Sequence, residues 1–158
     1  YNDTNSTTPE ATIVALKALV RGGRGAKAGR SGKKNSRADR KNNQLKRSKT
    51  ILIFGGADKK LDPKALLKVL PKYVKAMIVL PGSGTEIIKH TLDKFYLKYR
   101  SKLPIIFVKN MKEAVKEGVK NSRKGDCLLM SPAFASFGLF KNEYDRGDQF
   151  NAAVKKLR

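Results

Sequence analysis

Four unbroken apolar runs alternate with segments of helical periodicity from residue 50 onward, and this alternation constrains the fold more than any other feature of the sequence. The runs predict strands at residues 51–56, 76–82, 104–108 and 126–130. A strand without polar alternation is typically buried on both faces, as in a parallel sheet. The sequence therefore predicts an α/β fold, Rossmann-like, with a mostly parallel sheet and helices on both faces.

The segments with helical periodicity carry apolar side chains on one face, as helices that cover a sheet do. The predicted helices span residues 8–20, 62–73, 85–99, 111–122 and 144–157. The loops that follow parallel strands meet at the carboxyl edge of the sheet, where ligands of open α/β sheets bind. We therefore expect a binding site among the loops at 55–60, 81–85, 109–111 and 131–142.

Half of the excess positive charge lies in one short segment. The 158-residue chain has a formal net charge of +22, and residues 21–49 hold twelve Lys or Arg against one acid, Asp39, which leaves +11. Leu45 is the only large apolar side chain in this segment, so burial cannot offset the entropy of ordering it. We predict a disordered basic insertion at residues 21–49, between the first helix in residues 1–20 and the remainder of the domain in residues 50–158.

The basic segment also allows a second interpretation, in which the chain is a nucleic-acid-binding α/β module. Clustered Lys and Arg neutralise phosphates and release counterions. Residues 21–49 contain no aromatic side chain on which a base could stack. Binding through this segment would therefore be nonspecific and sensitive to salt.

Length and composition exclude several classes of protein. The longest apolar run, residues 76–80, is far shorter than the roughly 20 residues that cross a bilayer, so we expect no membrane insertion. One cysteine, Cys127, and one histidine, His90, cannot form an internal disulfide or a Cys/His metal cluster. The chain is the length of one domain and begins at Tyr1 without a signal-peptide pattern. We interpret it as the C-terminal piece of a longer cytoplasmic protein.

The densest set of candidate binding residues lies in residues 125–148. A predicted strand opens there into a loop of small and hydroxyl residues, including Ser131 and Ser136, and a charged turn leads into the last helix. Small side chains allow the backbone to approach a ligand closely. This segment predicts a site for a small polar molecule.

Three motifs resemble the Mur ligases, the ATP-dependent amide-forming ligases of peptidoglycan biosynthesis. Residues 129–150, with Ser-Pro-Ala-Phe-Ala-Ser-Phe-Gly and Lys-Asn-Glu-Tyr-Asp-Arg-Gly-Asp, are similar to the last-domain motif of the members that add D-glutamate. Gly-Gly-Ala-Asp-Lys at residues 55–59 follows the first strand, as in that family. Residues 2–12 resemble the motif at the junction between the central and last domains. The resemblance covers residues 1–20 and 50–158.

The resemblance implies roles for individual residues of these motifs. Thr7 and Ser136 match residues that bind the carboxylates of D-glutamate. Lys59 matches a lysine that contacts the side chain of D-glutamate. Phe137 matches a neighbour that contributes a backbone contact. Asp3 matches an aspartate that contacts the nucleotide.

At two positions of the expected pocket, the residue type differs from the one that many family members carry. Asn5 stands where many members carry a lysine near the reacting phosphate. Glu143 stands where some members have an aromatic residue that lines the pocket, and Tyr144 beside it is a candidate substitute. All three residues are included in the expected pocket.

The resemblance also implies a mechanism for an intact ligase. ATP and Mg²⁺, held mainly by a central domain absent from this chain, would phosphorylate the carboxylate of UDP-N-acetylmuramoyl-L-alanine, and the amine of D-glutamate would attack the acyl phosphate. This chain would orient D-glutamate. It would supply no catalytic residue and no metal ligand, and it would be inactive alone.

Overall fold

The computed structural model describes residues 1–22, 50–99 and 103–157. The helices are α1 (Pro9–Gly22), α2 (Lys64–Tyr73), α3 (Ser83–Tyr99), α4 (Met111–Lys120) and α5 (Glu143–Lys155). The strands are β1 (Thr50–Gly55), β2 (Val74–Leu80), β3 (Ile105–Phe107) and β4 (Cys127–Met130). Every predicted strand and helix is present, and the differences are confined to the ends of the elements.

The predicted basic insertion falls mainly on residues 23–49, which lie outside the described residues. Both its predicted disorder and the nucleic-acid interpretation therefore stay predictions. At the near end of the segment the structure differs from the sequence interpretation, because α1 continues through Arg21 and Gly22.

The four strands form one parallel sheet in the order β3-β2-β1-β4, which confirms the predicted α/β fold. The chain starts at β1, moves outward through β2 to β3, and then returns to β4 on the other side of β1. The direction of winding therefore reverses between β1 and β4. At such a switch point the loops after two neighbouring strands lead to opposite faces of the sheet and leave a crevice between them.

Alternate side chains of each strand enter two separate apolar clusters, one on each face of the sheet. Leu52 and Phe54 of β1 point to the first face, and Ile51 and Ile53 to the second. The first cluster is completed by α1, α2 and α3 through Leu16, Leu66, Leu70, Ile88 and Leu92. The second is completed by α4 and α5 through Met111, Ala114, Val115 and Phe150. Helices thus cover both faces, as predicted.

The apolar faces of the helices mostly follow the sequence pattern, with one difference in α4. Leu66, Leu67 and Leu70 are buried as the spacing predicts. Val119, one helical turn after the buried Val115, is 42% exposed, and Gly118 is buried instead. The side chain of Leu128 occupies the space beside Gly118, where a Cβ atom would lie 2.5 Å from the Leu128 Cδ1 atom. No helix in the described parts of the chain is long and apolar enough to span a membrane.

The N-terminal residues extend the sheet beyond β4. Asn2 forms a parallel bridge with Met130, and the Asp3 N–H donates to the Met130 carbonyl at 2.8 Å. This pairing covers the β4 edge, which would otherwise expose unpaired backbone groups. We call residues 1–8 the junction segment; it runs along β4 and then leads into α1 on the first face.

Gly82 generates a prediction about how closely the loops after β1 and β2 approach each other. Its φ is +154°, and an added Cβ would lie 2.2 Å from the Gly56 carbonyl oxygen. We expect Gly82→Ala to lower the free energy of unfolding by about 3 kcal/mol, because a main-chain overlap must be relieved in a strained conformation. Gly138→Ala is the control, since φ there is +86° with nothing within 4 Å, and only the conformational cost of about 1 kcal/mol applies. Equal losses in urea unfolding would contradict this account.

Candidate functional site

Backbone hydrogen bonds join three of the loops at the carboxyl edge into one unit. Ala57, after β1, and Ala135, after β4, form an antiparallel bridge with N–H to O distances of 2.9 and 3.1 Å. The Gly56 carbonyl accepts from the N–H groups of Gly84 and Thr85 at the start of α3, at 3.0 and 3.3 Å. The crevice between β1 and β4 is thus closed at its base by main-chain bonds, which fix the loops above it.

The loop after β2, which the sequence placed among the ligand-binding loops, braces the β1 loop. The Thr85 hydroxyl donates to the Leu80 carbonyl at 2.7 Å and accepts from the Gly56 N–H at 3.2 Å. The Ser83 hydroxyl accepts from the Asp58 N–H at 3.0 Å. The start of α3 therefore holds the backbone that carries the Gly-Gly-Ala-Asp-Lys motif.

The loop after β3 caps α4, the helix that follows it. The Asn110 side chain caps α4 by accepting from the Glu113 N–H at 2.9 Å, and the Glu113 carboxylate accepts from the Lys109 N–H at 2.8 Å. Because β3 is the far edge strand of the sheet, this loop starts two strands away from the β1–β4 crevice. The candidate site therefore centres on the β1 loop, the junction segment and residues 131–142, which we call the β4 loop.

Lys59 and Thr7 lie in direct contact, although 52 positions separate them. The Lys59 ammonium donates to the Thr7 hydroxyl at 2.9 Å. Lys59 is exposed and Thr7 is half-buried. Within residues 1–22, 50–99 and 103–157, Lys59 forms no ion pair with a carboxylate. Its charge is available to an anionic ligand, and the structure brings together two of the residues selected from the sequence.

Ser136 and Phe137 occupy the β4 loop immediately after its bridge to the β1 loop. Ser136 follows Ala135 directly, whereas Lys59 lies two residues beyond Ala57, so the bridge sets the register between the two side chains. Ser136 is only 4% exposed, and its carbonyl accepts from the Phe140 N–H at 3.1 Å. The Phe137 ring is 65% exposed. One residue is thus held in the loop while its neighbour faces outward.

Asp3 lies at the centre of a network of hydroxyl groups that attaches the junction segment to the domain. One oxygen of its carboxylate accepts from the Ser131 hydroxyl at 3.0 Å and from the Ser6 hydroxyl. Ser131 is fully buried, and its hydroxyl lies 3.0 Å from that of Thr12 on α1. These hydroxyl contacts went unrecognised in the sequence, where the only signal was a carboxylate among Ser and Thr residues. The nucleotide contact assigned to Asp3 stays a prediction.

Arg146 is fully buried and connects three segments of the site. Its guanidinium donates to the Thr4 hydroxyl at 3.2 Å, the Thr4 carbonyl at 2.6 Å and the Phe134 carbonyl at 3.0 Å. Burial lowers the pKa of Arg146 to about 10, so the group remains charged at neutral pH. The carboxylate of the neighbouring Asp145 accepts from the Lys141 N–H at 3.0 Å, and this bond lowers the pKa of the Asp145 carboxyl.

The remaining predicted pocket residues lie in the junction segment and at the start of α5. Asn5 is exposed, and its carbonyl accepts from the Thr7 N–H at 2.8 Å. Glu143 is half-buried at the first position of α5, and its carbonyl accepts from the Thr4 hydroxyl at 2.6 Å. Tyr144 is 68% exposed. The start of α5 is thus attached to the junction segment through Thr4.

The chemical character of the described residues favours binding over bond cleavage. Burial raises the pKa of the Cys127 thiol, which disfavours the nucleophilic thiolate. In the parts of the chain that the structure describes, no group of three or more His, Cys, Asp or Glu residues could hold a metal ion. An ammonium group and hydroxyl groups at the switch point of a parallel sheet define an α/β domain suited to binding a small anion.

Comparison with known proteins finds a set of homologous ligases. Proteins named UDP-N-acetylmuramoylalanine--D-glutamate ligase match this chain: that of Borreliella burgdorferi (strain ZS7) is 35% identical over 157 residues, 99% of the chain. The one of Clostridium acetobutylicum is 32% identical over 158 residues, and that of Bacteroides thetaiotaomicron 38% over 111 residues, 70% of the chain. No protein-family model matches the sequence.

The chain is therefore a homologue of these ligases, and its resemblance to the Mur ligases is confirmed. It spans 28% of the length of the Borreliella and Clostridium relatives and 23% of the Bacteroides one. It corresponds in sequence to a part of each of these proteins.

The hydroxyl network around Asp3 generates a prediction about stability. Ser131→Ala removes a buried donor to the Asp3 carboxylate, so we expect the free energy of unfolding to fall by about 2 kcal/mol. Ser122→Ala is the matched control, because the Ser122 hydroxyl makes an exposed bond to the Val119 carbonyl. Chemical denaturation of both variants measures the difference. A loss at Ser131 no larger than at Ser122 would show that the network contributes little.

Proposed function

We propose that this chain is the D-glutamate-positioning domain of an ATP-dependent ligase that joins D-glutamate to UDP-N-acetylmuramoyl-L-alanine in peptidoglycan biosynthesis. The observation that carries the proposal is the 2.9 Å hydrogen bond between Lys59 and Thr7 at the carboxyl edge of the sheet. The names of the homologous ligases support the choice of reaction and amino acid.

The hydrogen-bonding capacity of the site fits an amino acid with two carboxylates. A hydroxyl has one donor and two acceptor positions. Because the Thr7 oxygen accepts from Lys59, its own O–H would point to a ligand carboxylate. The Lys59 ammonium supplies charge and further donors for the ligand side chain. The hydroxyl of Ser136, with the backbone of Phe137, would bind a carboxylate from the β4 loop.

Two attachment points at opposite ends of D-glutamate would fix the direction of its amine. In the proposed reaction the amine nitrogen forms a bond to the acyl carbon, the bond from that carbon to the phosphate oxygen breaks, phosphate leaves, and the nitrogen loses a proton. Orientation of the amine contributes to the rate by removing translational and rotational freedom before the chemical step. No residue of this chain is assigned to proton transfer.

The nucleotide and metal belong in this proposal to a preceding central domain. The described residues contain no cluster that fits Mg²⁺. Asp3 would contact the nucleotide from the side of this domain, while the hydroxyls of Ser6 and Ser131 hold its carboxylate in place. Such a reaction, whose substrates include ATP and a nucleotide-linked sugar, would take place in the cytoplasm.

One wall of the proposed pocket, formed by Asn5, Glu143 and Tyr144, differs most from the family pattern. Tyr144 exposes most of its ring and would replace the aromatic contact that Glu143 does not provide. Asn5 would lie near the reacting phosphate without adding charge. This wall would shape the pocket rather than bind the carboxylates.

Replacing Lys59 tests the proposed pocket in the full-length protein that contains this chain. We expect Lys59→Ala to raise the KM for D-glutamate by about tenfold to a hundredfold, because a hydrogen bond to a charged group contributes about 1.5–3 kcal/mol. The KM for ATP should change little. Steady-state kinetics with each substrate varied in turn measure both constants.

Lys64→Ala is the control for this experiment. Lys64 is an exposed lysine in an ion pair with Asp62 at 3.6 Å, five positions from Lys59 along the chain, and its loss should leave the KM for D-glutamate unchanged. Ser136→Ala should raise that KM as Lys59→Ala does. Unchanged kinetics in both site variants would refute the site assignment.

The proposal also predicts the sequence of the neighbouring domain. Because the chain spans 28% of its Borreliella and Clostridium relatives, the coding sequence upstream of Tyr1 should encode a Gly-Lys-Thr/Ser phosphate-binding loop, whose backbone cradles nucleotide phosphates. Sequencing of that region gives the answer directly. A long upstream reading frame without such a loop would eliminate the ligase proposal.

A further inference from the structure

We infer that Arg146 is a positioning residue that fixes the junction segment against the β4 loop and thereby sets the spacing between Thr7 and Ser136. The inference rests on the proposed function, since it concerns the two elements that would bind the ligand carboxylates. It assigns a role to a side chain that is fully buried and that would not itself touch the ligand.

The guanidinium forms bonds to two segments that are far apart in the sequence. On one side it holds both the hydroxyl and the carbonyl of Thr4, at 3.2 and 2.6 Å. On the other side it holds the Phe134 carbonyl at 3.0 Å. A planar guanidinium presents its donors in a fixed fork, so three oxygens bound at once define one relative position of the two segments.

From Thr4, short backbone bonds extend this constraint to Thr7. The Ser6 N–H donates to the Asp3 carbonyl at 3.1 Å, and the Thr7 N–H donates to the Asn5 carbonyl at 2.8 Å. These bonds make residues 3–7 a tight turn. A displacement of Thr4 would therefore also displace the Thr7 hydroxyl and its bond to Lys59.

From Phe134, the constraint reaches Ser136 through the bridge between the two loops. Phe134 is 5% exposed, with its ring centroid 6.4 Å from that of Phe54 in β1. The next residue, Ala135, forms the bridge to Ala57. The position of Ser136 is thus determined from the Arg146 side and from the β1 side.

Burial of the Arg146 guanidinium costs free energy that an apolar side chain filling the same space would not cost. Removing a guanidinium from water carries a large desolvation cost, which the lowered pKa of this group reflects. The bonds described for its side chain go to Thr4 and Phe134, the segments leading to Thr7 and Ser136. An apolar side chain would fill the same space without connecting the two segments.

The experiment compares Arg146→Met, Arg146→Lys and the control Arg123→Met, an exposed arginine, in the full-length protein. We expect Arg146→Met to raise the KM for D-glutamate by about tenfold or more, as expected when a binding group moves by a fraction of its contact distance. Arg123→Met should leave the KM for D-glutamate within about twofold of the parental value. Arg146→Lys should give an intermediate value, since one ammonium replaces a fork.

Hydrogen exchange provides a readout independent of activity. In Arg146→Met the amides of Asp3, Ala133 and Ala135, which bond to the Met130, Ser6 and Ala57 carbonyls, should exchange faster, while those of β1 and β2 keep the parental rates. A purely structural role would speed exchange throughout the sheet. Unchanged exchange at these amides together with an unchanged KM for D-glutamate would overturn the inference.

A second pair of variants decides the matter if Arg146→Met does not fold. Thr4→Val removes one acceptor of the guanidinium and keeps the charge, and Thr4→Ser preserves the hydroxyl. A higher KM for D-glutamate in Thr4→Val than in Thr4→Ser supports the inference, and equal values overturn it.

Comparison with Lys59→Ala separates this inference from the proposed function. If Lys59→Ala also leaves the KM for D-glutamate unchanged, the proposed function fails. If Lys59→Ala raises this KM while the Arg146 and Thr4 variants do not, the positioning role alone fails.

Discussion

The antiparallel bridge between Ala57 and Ala135 is the interaction on which the rest of the site depends. It lies at the switch point between β1 and β4, where the two loops leave the sheet toward opposite faces. It continues the pairing of the two strand ends, where the Gly55 N–H donates to the Pro132 carbonyl at 2.9 Å. With it, the loop carrying Lys59 and the loop carrying Ser136 have a defined register. The junction segment places Thr7 beside the β1 loop, where the Thr7 hydroxyl accepts a hydrogen bond from Lys59.

The groups at the candidate site favour binding over bond cleavage. Its polar groups are the exposed Lys59 ammonium and the hydroxyls of Thr7 and Ser136. These groups suit a small dianion and provide no activated nucleophile. A domain of this kind would contribute to a ligation by positioning one reactant, whereas the energy of the reaction would come from a nucleotide bound elsewhere. The share of the homologous ligases that this chain spans agrees with that division.

Buried polar groups connect the site to the stability of the domain. The Asp3, Ser131 and Thr12 contacts fasten the junction segment to β4 and α1, and Arg146 fastens it to the β4 loop. Each buried group is costly without its partner, so each contact strongly favours one arrangement of the segments. The same bonds that order the site therefore also stabilise the covering of the β4 edge.

The sequence by itself determined the α/β class, the order of the strands and helices along the chain, and most of the core, because apolar periodicity reports burial directly. It also selected Thr7 and Lys59, through their resemblance to a family motif. Only the tertiary structure decided that these two side chains meet, that Gly118 replaces Val119 on the buried face of α4, and that Arg146 bonds to Thr4 and Phe134. The contacts of Lys59 and Arg146 join positions 52, 12 and 142 residues apart and depend on strand order and loop register. Local sequence patterns do not encode strand order or register.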